Sequence, residues 1–228
     1  MDSAGRIFVP ATWRLHPRGG AAGIFVFDRT GRYQRTIPLP QRSVRHIALG
    51  ANGEVFTLGL DTNFIRGRTD SCFLLGRYTQ EGKLAAAFSP CPGHGAEIAR
   101  LNTEIDRGSI WIKDGNLYQL MPLSRVVRVF DAKTGRWSAE TTLEAPGLGV
   151  SELWRVLSLA NGEYLAEWRD ARVLTVHNAS GRVIARAENA ELPSSVPITS
   201  DDHGAVTFLA SDSQRGLYFI RTRVSIHR

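Results

Sequence analysis

The sequence predicts an all-β chain built from repeated four-stranded antiparallel units. Three observations carry this. A short polar turn ending in glycine can be read nine times along the 228 residues. The segments beside these turns, such as Ile7-Phe8-Val9, Ile24–Phe27, Val55–Leu58, Val126–Phe130 and Val173–Val176, are rich in β-branched and aromatic residues that suit a pleated, half-buried surface. No segment sustains the 3.6-residue period of an amphipathic helix, and only Gly95–Leu101 has the makings of a short helical turn.

The turns form two interleaved series. One holds Asp2-Ser3-Ala4-Gly5, Gly50-Ala51-Asn52-Gly53, Asp106-Arg107-Gly108, Ala160-Asn161-Gly162 and Asp201-Asp202-His203-Gly204. The other holds Asp28-Arg29-Thr30-Gly31, Thr79-Gln80-Glu81-Gly82, Asp131–Gly135 and Asn178-Ala179-Ser180-Gly181. Asp or Asn at the first position can bond its side chain back to the backbone, and the closing glycine supplies a left-handed conformation without a Cβ penalty. Each turn therefore reads as a hairpin. Within the first series the glycines are 48, 55, 54 and 42 residues apart, and within the second 51, 53 and 46. Two hairpins per period of about fifty residues make a four-stranded unit repeated, the signature of a β-propeller blade.

The blades fall near 1–40, 41–97, 98–149, 150–194 and 195–228, as one domain over 1–228. The first opens at its first hairpin turn, so its innermost strand is missing. The last has strands near Pro197–Ser200 and Ala205–Ala210, then one long strand over Leu217–His227, in which Tyr218, Ile220, Thr222, Val224 and Ile226 share a side. Its outermost strand is missing too. The expectation is a β-propeller with about five blades visible, the first and last incomplete, and eighteen strands in place of twenty.

The segments Asp2-Ser3-Ala4-Gly5-Arg6-Ile7-Phe8-Val9 and Ile24-Phe25-Val26-Phe27-Asp28-Arg29-Thr30-Gly31-Arg32 resemble the blade of NHL-like, six-bladed β-propellers, including many uncharacterised bacterial ones. The Gly-His and Trp-Asp dipeptides of WD40 blades do not recur, and Gly19-Gly20 is the single kelch-like double glycine. The resemblance implies strands a to d running outward from a central axis. It implies a–b and c–d turns on one face, with b–c loops and d–a connectors on the other, where ligands are met. Propellers often close by letting an N-terminal strand complete the last blade. The pattern therefore reads as an N-terminally shortened version of a longer protein, the lost part holding two strands or more, a sixth blade and a signal peptide. On that reading the protein is periplasmic or extracellular; otherwise it is cytoplasmic. An in-frame, blade-like extension in the upstream DNA is the expected result, and a stop codon adjacent to Met1 the contrary one.

Composition narrows the function classes. Lys and Arg exceed Asp and Glu by 6, but 25 of the 28 basic residues are Arg, scattered from Arg6 to Arg228. The scatter favours a solvated surface over a nucleic-acid site. No window approaches eighteen consecutive apolar residues, so no membrane-spanning helix is expected. Cys72 and Cys91 flank the hairpin centred on Gln80-Glu81-Gly82, within one residue of facing each other. A hairpin-end disulfide and two unpaired core cysteines both fit; the first implies an oxidising compartment. Two thiols without further ligands do not make a metal site.

The six histidines form no ligand pair, and Asp201-Asp202-His203 reads as a polar turn, not a calcium loop. No Gly-x-Ser-x-Gly elbow, P-loop or dinucleotide fingerprint is present. Some six-bladed propellers are metal-dependent lactonases or lyases. Here Glu152, Asp106, Asn102 and His46 lie near inner strands but reproduce no such motif. The leading expectation is a non-enzymatic scaffold without cofactor, binding a protein, peptide or glycan through its long-loop face. The alternative is a hydrolase or lyase holding a divalent metal on the axis. The candidate loops are Pro10–Gly23 with Trp13, Arg14 and His16; Asp61–Ser71 with Asn63, Phe64, Arg66 and Arg68; and the connectors Ser89–Leu101 and Glu144–Trp154. Trp13 and Trp154 offer flat contact area, and Arg66 and Arg68 offer anion contacts. Against this stands the plainer role of Trp13 as packing between blades and of the arginines as solvated surface.

Overall fold

The computed structural model describes residues 2, 4–16, 19–40, 42–51, 53–61, 72–91, 96–147, 152–159, 162–168, 173–188, 196–200, 205–212 and 216–223. They form five successive antiparallel sheets, each a simple meander. The first contains β1 (Ile7–His16), β2 (Gly19–Phe27) and β3 (Tyr33–Leu39). The second contains β4 (Arg42–Leu49), β5 (Val55–Asp61), β6 (Phe73–Tyr78) and β7 (Leu84–Pro90). A helix, α1 (Ala96–Arg107), leads to the third, with β8 (Ser109–Lys113), β9 (Asn116–Met121), β10 (Val126–Asp131) and β11 (Trp137–Thr142). The fourth contains β12 (Leu153–Ser158), β13 (Tyr164–Trp168), β14 (Val173–His177) and β15 (Val183–Glu188). The fifth contains β16 (Val196–Ser200), β17 (Ala205–Asp212) and β18 (Gly216–Arg223). The described residues thus carry eighteen strands, with three in each terminal sheet.

Local chemistry accounts for the hairpins. Asp28 Oδ1 accepts from the backbone N–H of Thr30 and Arg32, and Asn178 Oδ1 from those of Ser180 and Arg182. Each residue therefore folds its own turn before any long-range contact is needed. Cys72, just before β6, and Cys91, just after β7, are joined by a disulfide with Cα atoms 5.3 Å apart. The Cys91 N–H donates to the Cys72 carbonyl at 3.1 Å, so the bond closes the open end of the β6–β7 hairpin.

The chain separates into two compact units, Met1–Gln119 with Arg128–Ala139, and Leu120–Val127 with Glu140–Arg228. In the first, β4 neighbours both β1 and β8. Ile24, Val26, Ile37 and Leu39 of the first sheet pack against Val44, Val55 and Tyr78 of the second. In the second unit, β12 and β16 are neighbours, and Leu165, Leu174 and Val176 pack against Val206 and Phe208. One contact recurs between successive sheets. A Cβ on Gly82, in the β6–β7 turn, would overlap the Pro38 carbonyl of β3; one on Gly135 would overlap the Phe88 ring of β7; one on Gly181 would overlap the Thr142 carbonyl of β11. The outer strand of one sheet thus seats on the last hairpin turn of the next.

Two segments differ from expectation. In place of a short turn over Gly95–Leu101, a twelve-residue helix runs from Ala96 to Arg107, with Leu101 and Ile105 buried on one side. Asp106-Arg107-Gly108 is therefore the helix end, not a hairpin turn. The turn between β8 and β9 is Asp114-Gly115, with positive φ at both residues (49° and 73°), as a two-residue type I′ hairpin requires. The stretch Pro10–Gly23 is mostly strand, because β1 extends to His16 and β2 starts at Gly19, with Trp13 opposite Ala21 and Arg14 opposite Gly20.

Beneath the fourth sheet lies a closed polar chain. Trp168 Nε1–H donates to Thr175 Oγ1 at 2.7 Å, the Thr175 hydroxyl lies 2.7 Å from His177 Nε2, and His177 Nδ1 lies 3.0 Å from the Gly181 carbonyl. The carbonyl can only accept, so Nδ1 carries the proton and Nε2 accepts from the threonine. All three side chains are buried. Thr175→Val leaves the indole N–H without an acceptor and His177 without a donor, for an expected loss of about 2 kcal/mol in urea denaturation.

Burial also holds His177 below the ordinary histidine range, and His46 likewise. The unfolded chain therefore binds protons first as pH falls. Stability is full above the unfolded value near 6.5 and is expected to decline as pH drops through and below it. Denaturation midpoints measured from pH 8 to 5 check this; a flat profile would contradict it.

Candidate binding site

The hairpin turns mark one end of each sheet. Gly5 lies beside Arg29 of the next turn, Gly53 beside Gln80, and Gly162 beside Ala179. In the first unit the opposite ends of the sheets carry the β2-side end of β1, the start of β4 and α1; in the second unit the opposite end of the fourth sheet carries the start of β12.

At these ends the first strands of the second and fourth sheets, β4 and β12, are bulged. In the second sheet Val44 pairs with Gly59 and His46 with Leu58, leaving Arg45 as an extra residue. Gly59 is required there, since a Cβ would overlap the Ser43 carbonyl. In the fourth sheet Leu153 pairs with Trp168 and Arg155 with Glu167, leaving Trp154 extra. Arg45 and Trp154 each stand eight residues before the glycine that closes the following hairpin, Gly53 and Gly162. A bulge at a fixed station re-aims a side chain, and such features gather near functional sites.

In the first unit the bulge receives the end of α1. His46 Nε2 lies 3.0 Å from the Ile105 carbonyl and 3.3 Å from that of Asp106, so it carries the proton. Arg45 Nε meets Asp106 Oδ1 at 2.5 Å. Burial lowers the His46 pKa, and the two carbonyls and the Asp106 charge offset this only in part. Close by, Arg42 is buried, stacks over the Phe73 ring at 4.5 Å, and donates to Thr57 Oγ1 and to the carbonyls of Phe73 and Leu74.

In the second unit the same station holds Trp154 and Arg155 with Glu167 across the ladder. Trp154 is half-buried and Arg155 exposed. Glu167 Oε2 is sealed from solvent and receives no hydrogen bond. Burial pushes the Glu167 carboxyl up from its ordinary value, opposed by the Arg155 charge.

The structure brings His46 and Asp106 together, with Asn102 exposed one turn earlier on α1. Glu152 lies in the other unit, two residues before Trp154. Among the described residues, no three His, Cys, Asp or Glu side chains converge as a metal site would need. Trp13, Arg14 and His16 lie on β1, their side chains outside the described residues. Asn63, Phe64, Arg66 and Arg68 also lie outside them. Glu167 and Arg45 were not singled out by sequence. Aligning the repeats on their hairpin glycines would have found Glu167, since it falls five residues after Gly162, where Leu58 follows Gly53 and Leu120 follows Gly115.

No family model matches the chain, and no curated protein matches it. It is similar to a solved protein of unknown function from Bacteroides caccae, at 15% identity and a TM-score of 0.53, over 96% of this chain and 75% of that one. It is also similar to the computationally designed Ika8 protein, at 13% identity and a TM-score of 0.45, over 91% of this chain and 57% of that one. A third likeness is to the hydrazine synthase of Kuenenia stuttgartiensis, at 11% identity and a TM-score of 0.49, over 85% of this chain and 53% of that one. At these identities the likeness is one of fold alone.

Proposed function

We propose that residues 1–228 form a single β-propeller of the NHL-like, six-bladed kind, and that it is a non-enzymatic scaffold. It binds a protein, peptide or glycan partner through the end that carries the inner-strand bulges, α1 and the long loops. The order of strands within each sheet supports the propeller reading, as do the neighbouring inner strands within each unit. The observation that carries the binding reading is the bulge at one fixed station, which sets Arg45 and Trp154 out of their ladders. Binding groups held on a rigid scaffold are the usual way such an end is used.

The test combines arrays of immobilised peptides and glycans with metal analysis of the purified chain. Trp154→Ala is expected to weaken binding of the captured partner at least tenfold, about 1.4 kcal/mol, with the melting temperature little changed. One tightly held divalent ion per chain, with turnover of a lactone or ester, would overturn the scaffold reading.

A further inference from the structure

We propose that Trp154, Arg155 and Glu167 form a saccharide-binding site at the bulged end of the fourth sheet. This rests on the reading of that end as the binding face and narrows its ligand to one class.

The repeats of the chain differ at one station. Five residues after the first hairpin glycine, the second strand carries Leu58 in the second sheet, Leu120 in the third and Glu167 in the fourth. Leu58 and Leu120 are 0% exposed. Glu167 occupies the station of two core leucines, yet its Oε2 is buried without a donor. An unpartnered buried carboxylate oxygen weakens a fold, and a leucine there would not. Residues that cost stability in this way mark functional positions.

The bulge then supplies two neighbours. Leu153 pairs with Trp168, whose ring is buried on one face of the sheet. Alternation sends residue 154 to the other face. Arg155 pairs with Glu167, which also belongs to that other face. The extra residue therefore places Trp154 and Arg155 consecutively on the Glu167 side. In the second sheet the corresponding pair, Arg45 and His46, is committed to α1. Among the described residues Arg155 and Glu167 form no ion pair with each other, so the two opposite charges stand side by side.

Charge selects the ligand. A cation would be repelled by Arg155 and an anion by Glu167. A neutral ligand with a donor and an acceptor on one edge satisfies both. Vicinal hydroxyls do this: one donates to the half-buried Glu167 carboxylate while its neighbour accepts from the Arg155 guanidinium. The indole of Trp154 offers a flat apolar face to the C–H side of the sugar ring. A peptide group fits less well, because its N–H and C=O point in opposite directions across a trans plane.

The experiment titrates the folded chain with malto-, cello-, xylo- and chito-hexaose, followed by tryptophan fluorescence. At least one is expected to bind. Glu167→Leu is expected to raise the melting temperature and weaken that binding at least tenfold. Trp154→Phe should lose less affinity than Trp154→Ala. Absence of binding by all four sugars, or an affinity unchanged in Glu167→Leu, would overturn the proposal. Capture of a peptide that depends on Trp154 but not on Glu167 would also overturn it, while leaving the binding-face reading intact. A tightly held metal with turnover would instead remove that reading.

Discussion

Alanine at Gly82 is expected to destabilise the chain by about 2–4 kcal/mol, and alanine at Gly31 by only about 1 kcal/mol. The two glycines close equivalent turns in successive sheets with nearly the same backbone, at φ of 82° and 83°. Each substitution pays the same left-handed strain. The difference is what the new Cβ meets. At Gly82 it drives into the Pro38 carbonyl of the preceding sheet, and at Gly31 nothing lies within 4 Å. Backbone cannot step aside as the tip of a long side chain can, so overpacking adds to strain. In the second unit, Gly181→Ala should behave like Gly82→Ala, since it meets the Thr142 carbonyl at φ 83°. The Gly181 carbonyl also accepts from His177 Nδ1 and from the Glu144 N–H. Urea denaturation of the three variants reads the comparison. Equal losses at Gly31 and Gly82 would show that the outer strands do not seat on these turns.

Removing the Cys72–Cys91 disulfide is expected to cost about 3 kcal/mol, from the entropy of closing a loop across 19 residues of separation. For a chain of this size that is a fall in melting temperature of about 6–12 °C. The bond anchors the start of β6, where Arg42 already binds the Phe73 and Leu74 carbonyls. The Cys72→Ser, Cys91→Ser double variant and the reduced wild type should therefore agree. Disulfides persist in oxidising compartments, so protein isolated from its own cells is expected to show no free thiol on denaturation. Two titratable thiols in that material, with unchanged stability on adding reductant, would contradict both expectations.

The sequence made the hairpins legible because their chemistry is local. Asp28 and Asn178 bind backbone within four residues, and their glycines need no partner to adopt positive φ. Strand content followed, since runs such as Val173–Val176 are too short and too β-branched for a helix. α1 was less legible, because its apolar side rests on few residues and Asp106-Arg107-Gly108 has the form of a turn at the right spacing. The true hairpin, Asp114-Gly115, was hidden by the residues the helix adds between repeats.

The bulges were not legible at all. A bulge is a property of two strands in register, and Arg45 and Trp154 stand out only when Gly59 and Glu167 are seen opposite them. Trp154 was singled out for its size. Glu167 does not stand out in the sequence, because a lone glutamate in a strand is usually a solvated residue. Its meaning comes from Leu58 and Leu120 at the same station.

The propeller reading is tested most directly by distances from the first sheet to each later one. Spin labels at Arg32 and, in turn, at Glu81, Thr134, Ser180 and Thr222 sample the five sheets at exposed positions. Measured by pulsed electron resonance with the native disulfide intact, the distance from Arg32 is predicted to rise to a maximum at the third or fourth sheet. It should then shorten at Thr222, as strands return around a common axis. A distance that keeps growing at every step, by about 10 Å per stacked sheet, would contradict the account.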